Sequence, residues 1–381
     1  MAKPNDLSAL IGLTKTTQTL LNHYFSSLSP STAPASTSTS TAELPDPLEV
    51  AKAYTTLLKS HTTTLSLLLL TPPLTPSALM KKIGEVSSGV LSNLVAAATA
   101  EGGTKQGLGS LMQGELRAGV RRVLGGWGEV LSLVLRLAER RQAIDGKTPT
   151  KKDEGLTENE RQEVLAATGV VWDSCDALLR FCDNGIVGLV VKKAQEWRSV
   201  LLDAVEELKE WGEDVDDEED KDGAEGSDLE DDEFRHEDDI FGAANKLGKG
   251  DKEMKELLDR SVKKLKMVGM LYQALIKRRL KTFPPAAKAT PATATNGEKK
   301  DEDGSVVKLE KLMTHLRAIP ENVDDLASAF YDLDEEEAKK TFEKCCSEAR
   351  NAAALVRQSW TGTDDEFTAW SGKWVDALDA A

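Results

Sequence analysis

Catalytic signatures are what this sequence has least of. Its 381 residues contain no G-x-G-x-x-G loop, no G-x-x-x-x-G-K-[ST] phosphate loop, no G-x-S-x-G elbow and no H-E-x-x-H pair. Backbone phosphate cradles, strained nucleophiles and zinc-binding helices of those kinds therefore have no starting point. The four cysteines, Cys175, Cys182, Cys345 and Cys346, include no C-x-x-C pair and lie near no histidine in sequence. They are expected as buried small residues in a reducing compartment rather than zinc ligands. The apolar run from Leu65 stops at Thr71-Pro72-Pro73, far short of the roughly 20 residues of a membrane span. The start, Met1-Ala2-Lys3-Pro4-Asn5-Asp6, lacks the layout of a secretory signal, so an intracellular location is expected. No stretch combines β-branched alternation with hairpin turns, so strands are not expected. The chain points to no catalytic residue, cofactor or metal site, and the partner-binding residues stay unassigned.

What it has is acid in one place. From Glu213 to Asp239, seventeen carboxylates face only Lys221 and Arg235, a net charge of −15. The remaining chain keeps 46 of the 48 basic and 47 of the 64 acidic residues and is nearly neutral. Such a block repels itself and buries little, which predicts a disordered, solvated loop. It could be a spacer, or it could screen a basic surface such as Arg121-Arg122, Lys263-Lys264 or Lys277 to Lys281. No D-x-D-x-D-G loop with a terminal Glu marks a calcium site, and His236 with Glu237-Asp238-Asp239 reads as exposed charged sequence.

Helical periodicity fills the rest. The expected fold is all-α, one or more elongated helical bundles interrupted by the acidic loop. The predicted layout is an N-terminal helix over 1–28, a Ser/Thr/Pro linker over 29–46 and an N-terminal bundle over 47–211. The acidic loop comes next over 212–243, then a helix continuing the bundle over 244–283, a Pro/Ala linker over 284–304 and C-terminal helices over 305–381. Asn5 or Asp6 is available to cap the first helix. Pro47 opens a helix with Val50, Ala53, Leu57, Leu58, His61 and Leu65 on its apolar side. Thr75-Pro76 opens another, carrying Leu79, Met80, Ile83, Val86, Val90, Leu94 and Val95 up to Gly102-Gly103. A long glycine-bearing helix runs from Lys105 to Gln142, with a kink expected at Gly125-Gly126.

Thr157 and Glu160 have capping-box spacing, and the helix they start should stop at Asp183-Asn184-Gly185 before resuming at Ile186. Met254 to Ile276 forms a stripe whose last turn, Lys277-Arg278-Arg279-Leu280-Lys281, suits a helix end or an import signal. Separate helices are expected over Val307 to Leu316, Val323 to Tyr331, Glu335 to Trp360 and Asp365 to Leu378. Asp324-Asp325, just after Asn322, reads as a helix start rather than a catalytic pair, and Trp127, Trp172 and Trp197 read as core.

Three segments together resemble a known family. They are GVVWDSCDALLRFCDNG with Val171, Trp172 and Cys175; the continuation with Asp203-Ala204 and Glu206-Glu207; and Val323-Asp324-Asp325-Leu326-Ala327 with Tyr331. Their order around an acidic insert is similar to that of the cyclin-D1-binding (cyclin-D-interacting) family, most specifically from Gly169 to Tyr331; Leu48 to Leu137 matches only in helical pattern. The resemblance implies an all-helical, non-enzymatic adaptor of cytoplasm and nucleus. It would bind cyclins or helix-loop-helix regulators and restrain proliferation. Direct nucleic-acid binding is not expected of so acidic a chain, nor membrane binding, and homodimerisation is left open. Two other readings are a vinculin or α-catenin-like bundle scaffold linked to the cytoskeleton and a cryptic enzyme or metal protein.

Overall fold

A computed structural model describes residues 4–29, 46–100, 109–147, 155–213, 247, 251–284 and 301–381. The described residues are helical without strands, as the periodicity predicts. The acidic block beyond Glu213, most of both linkers, Gly102-Gly103 and His236 lie outside them. None of the described helices is long and apolar enough to cross a membrane. The chain divides into two compact units, Met1–Gly185 and Ile186–Ala381. The division falls inside the segment expected as a single bundle, not at the acidic block.

The first unit holds α1 (Pro4–Ser27), α2 (Pro47–Leu70), α3 (Pro76–Glu85), α4 (Leu91–Thr99), α5 (Gly109–Lys147) and the first part of α6 (Glu158–Glu213). Helix α1 packs on α3 and α5, and α4 on α2 and α5. In α1 the buried positions are Leu7, Leu10, Thr14, Thr17 and Leu21, a 3-4 spacing that includes two threonines. Asn5 and Asp6 lie inside its first turn, because the helix starts at Pro4. In α2 the buried face is Ala51, Thr55, Leu58, Thr62, Leu65 and Leu69. The stripe expected through Ala53 and Leu57 is wrong in phase: Ala53 is exposed and Leu57 is 42% exposed. Threonine competes for a core position because its hydroxyl can bond within its own helix. Thr14 donates to Leu10 O at 2.8 Å and Thr62 to Leu58 O at 2.8 Å.

The stripe opened by Pro76 is not one regular helix. A π-helical turn, Val86–Val90, separates α3 from α4, and the chain leaves the helix at Ala100. The extra residue of a π turn rotates the helix beyond it, so Leu91 joins Val90 in the core, with Leu94 and Val95 beyond. Helix α5 stays helical through Gly125-Gly126, where the sequence predicts a kink. Those glycines do not act alike. A Cβ on Gly126 would stand 3.2 Å from Val171 Cγ2, so this glycine serves close packing, whereas one on Gly125 would meet nothing within 4 Å. The irregularity sits at Gly185, at φ 56° and ψ −157°, where the sequence places a stop. The Thr157–Glu160 capping box forms as expected: Glu160 N donates to Thr157 Oγ1 at 3.3 Å, and Thr157 N to Glu160 Oε2 at 2.8 Å.

The second unit contains the remainder of α6, α7 (Lys252–Leu275) with a π-helical turn at Ile276–Leu280, α8 (Asp301–Tyr331), α9 (Glu335–Leu355) and α10 (Glu366–Ala380). Helices α8 and α9 form the hairpin against which α7 and α10 pack. Here α6 extends two residues beyond Trp211 into the expected loop, and α8 begins at Asp301, inside the expected linker. The two helices expected on either side of Pro320 are one. Proline has no N–H for the carbonyl four residues before it, Leu316 O. The hydroxyl of buried Tyr272 on α7 donates to that same carbonyl. An orphaned acceptor is thus satisfied from the neighbouring helix, and α8 continues. Asp324 and Asp325 consequently stand in mid-helix rather than at a helix start.

Tyr272→Phe should therefore cost about 1–3 kcal/mol in chemical denaturation, the penalty of an unpaired buried carbonyl. Introducing Pro320→Ala into that variant supplies the missing N–H and should recover part of the loss. Additive effects in the double-mutant cycle would show that the two residues do not serve one carbonyl.

Candidate partner-binding surface

The thiols are buried or half-buried, and the adjacent carboxylates Asp324 and Asp325 do not converge. Cys175, Cys345 and Cys346 are buried free thiols, and Cys182 is half-buried. Burial pushes Cys175, Cys182 and Cys345 up to about 12 and Cys346 up to about 11. They stay protonated at neutral pH and are poor nucleophiles. Asp324 and Asp325 are exposed neighbours on a helix, where side chains one residue apart diverge. Among the described residues no three or more of His, Cys, Asp and Glu gather as metal ligands would.

The basic stretch at the end of α7 exposes Lys277, Arg278 and Lys281 but turns one cation inward. Arg279, 1% exposed, points inward from the π-helical turn. Its Nε donates to Val356 O at 2.7 Å, and Nη2 donates to Arg357 O at 2.8 Å. Nη1 donates to Arg278 O, and the two Nη atoms grip Asp365 at 2.7 and 2.9 Å. All five guanidinium N–H groups are thereby used. The charge also lies over the Phe367 ring, 4.4 Å from its centroid. Asp365 caps α10 through Thr368. The Arg279 guanidinium, more than any other cause, holds its carboxyl well below the usual carboxylate range. Lys264 is likewise buried, over the Phe342 ring.

The residues that carry the family resemblance split by burial. In the first unit Val171 and Cys175 face the core, Val171 against Gly126. Trp172 is 38% exposed, contrary to its expected core role. Trp127 is fully buried, and Trp197, in the second unit, is half-buried. A change of one residue turns a helix by 100°, so Val171 and Cys175 at i, i+4 hold α6 down while Trp172 is rotated outward. Leu165, two turns earlier on that side, is 54% exposed, and Val170 is 53% exposed. In the second unit the other two segments come together. Trp211 lies edge-on to Tyr331 at 5.5 Å and tilted to Phe330 at 6.3 Å. Burial, with Glu207 adding to it, raises the Tyr331 hydroxyl. Val323 and Leu326 are core, while Asp203, Glu206 and Glu207 are exposed. The outward turn of Trp172 is legible in the sequence only as a break in phase between it and Val171.

Residues 49–214 match the family described as Grap2 and cyclin-D-interacting, N-terminal. That range covers α2 through α6, so it takes in helices whose sequence shows helical pattern alone; Val323 to Tyr331 lies beyond it. An uncharacterized protein of Schizosaccharomyces pombe is 24% identical over 330 residues, 87% of this chain and 83% of that relative.

Three measurements check these placements. Arg279→Ala should destabilise the protein by about 1–3 kcal/mol, because it leaves buried Val356 O without its donor and takes the guanidinium from Asp365. Since the Asp365 pKa is lowered on folding, its contribution is complete above the ordinary value of 3.8 and is lost as pH falls below it. Asp365→Asn should flatten that part of the acid-unfolding curve; an unchanged acid limb would contradict the assignment. Iodoacetamide at mildly alkaline pH should leave Cys175, Cys345 and Cys346 unmodified in the folded protein, with Cys182 alkylated first. Rapid labelling of Cys345 or Cys346, read by mass spectrometry, would show that α9 opens readily.

Proposed function

We propose, taking residues 49–214 as a Grap2 and cyclin-D-interacting N-terminal domain, that this protein is a non-enzymatic adaptor for cell-cycle or transcription regulators. The family match carries the reading. In this reading it works in cytoplasm and nucleus, binds a cyclin or a helix-loop-helix protein, and restrains proliferation. Such partners are helical, and an amphipathic helix docks by laying its apolar side on exposed aromatic and aliphatic groups. Trp172 and Leu165 on α6 offer that kind of surface. Trp172 is the natural anchor, since exposed tryptophans dominate binding energy when an interface covers them. The burial of the thiols and the use of Arg279 as a structural clamp support a binding role over a catalytic one.

Calorimetry with the full chain and a purified D-type cyclin, or a helix-loop-helix domain, tests this. Saturable binding is expected. Trp172→Ala should weaken it by about tenfold or more, as loss of a hot spot does, while leaving the thermal transition nearly in place. Val171→Ala should instead lower the transition. The adaptor reading fails if neither protein binds and affinity capture returns actin-linked proteins alone.

A further inference from the structure

A second surface stands apart from Trp172, in the first unit between the end of α1 and the start of α5. Half-buried Phe25 gives it an apolar side, with Leu28 almost fully buried at its edge, and Gly114, Arg117, Arg121 and Arg122 line it from α5. The cleft is an open depression of about 650 Å³, within the roughly 300–1,000 Å³ of clefts that take ligands. Each arginine makes one hydrogen bond, and the Arg121 guanidinium also lies over the Phe25 ring, 5.6 Å from its centroid. Arg121 Nη1 donates to Phe25 O at 2.7 Å, Arg117 Nε donates to Ala98 O at 3.2 Å, and Arg122 Nη2 reaches Glu115 Oε1 at 3.4 Å. A guanidinium has five N–H groups, so most of these donors remain available.

The sign of the cleft decides what it takes. Among the described residues, three guanidinium charges line the cleft with one carboxylate, Glu115, beside Arg122. The ends of α1 and α4 contribute about −0.5 charge each and the start of α5 about +0.5, so the balance stays positive. This is notable in a chain of net charge −16. A simple anion would use the donors but not the apolar side. A purely apolar peptide would cover the donors without pairing them, at a cost of about 1–3 kcal/mol for each group left unsatisfied.

We propose that this cleft binds an acidic peptide segment of a partner protein, with Asp or Glu carboxylates on Arg117, Arg121 and Arg122 and an intervening Leu or Phe against Phe25. The proposal rests on the adaptor reading in assuming a protein partner, but it concerns a different surface. Gly114 supplies the room: it lines the cleft, and a Cβ there would meet nothing within 4 Å.

The test uses the full chain and a short fluorescein-labelled peptide that alternates Asp and Glu with Leu and Phe, monitored by fluorescence anisotropy. Saturable binding that weakens as sodium chloride rises is expected. Arg122→Glu places like charge against the peptide and should reduce affinity by about tenfold or more. Gly114→Leu should also block binding. It replaces a helical glycine with open space at its Cβ, so the thermal transition should hold or rise. Trp172→Ala should leave this peptide's affinity unchanged, which separates the cleft from the cyclin-type interface. Equal binding of the Asn/Gln version of the peptide, full displacement by inorganic phosphate at constant ionic strength, absence of saturable binding, or wild-type affinity in both cleft variants would each overturn the proposal. Cyclin binding without peptide binding would overturn it too, while leaving the adaptor reading in place.

Discussion

Helix ends in this protein are closed by side chains reaching from other helices, and the packing of both units depends on it. A helix leaves its last carbonyls without an internal partner. Here Arg121 takes Phe25 O at the end of α1, Arg161 takes Leu70 O at the end of α2, and Arg117 and Gln113 take Ala98 O and Ala100 O at the end of α4. In the second unit Arg279 takes Val356 O and Arg357 O after α9, and Tyr272 takes the carbonyl released by Pro320. A buried carbonyl left unpaired costs about 1–3 kcal/mol, against a total domain stability of about 5–15 kcal/mol. That penalty applies in full to the two buried ones, at Leu316 O and Val356 O, and losing both would take a large share of that margin. These bonds also set register, because a guanidinium or phenol reaches its carbonyl from only one position along its own helix.

The existence and type of the helices are legible from periodicity, as are the Thr157 capping box and the stop at Gly185. Most of the failures share a physical cause, a partner that the local pattern does not show, although the buried hydroxyl of Thr55 has no hydrogen-bond partner. Thr55 and Thr62 resemble solvent-facing polar residues on α2, yet Thr62 bonds its own helix and is buried with Leu58 and Leu65. Arg279 resembles one more cation at a helix end, yet the π-helical turn rotates it onto Asp365 and Phe367. Pro320 resembles a helix stop until a tyrosine from α7 accounts for the released carbonyl. That partner lies 44 residues away, and no local pattern of α8 could disclose it.

The surface expected to bind partners is less legible than the fold. Segment resemblance picks out Val171, Trp172 and Cys175 as a group, but burial divides them into two anchors and one exposed ring. Family-like residues on a helix mix those that seat it with those it presents. In the third segment the exposed carboxylates Asp324 and Asp325 alternate in the same way with the core positions Val323 and Leu326. The acidic block dominates the charge of the chain, whereas the features that support a binding role sit outside it, on α5 and α6.

In the proposed cleft, closing helix ends and holding an anion use different atoms of the same arginines. The bonds from Arg121 to Phe25 O and from Arg117 to Ala98 O fix each side chain before any partner arrives. A free arginine loses about 2 kcal/mol of rotamer entropy when it is immobilised, and a tethered one has already lost much of it on folding. The remaining N–H groups are therefore presented at lower entropic cost than on an exposed lysine or arginine of equal charge. Arg122, held only by a long contact to Glu115, lacks this advantage and is left to contribute mainly charge. The tethered pair would fix where the carboxylates sit, and Arg122 would set how strongly the cleft attracts them.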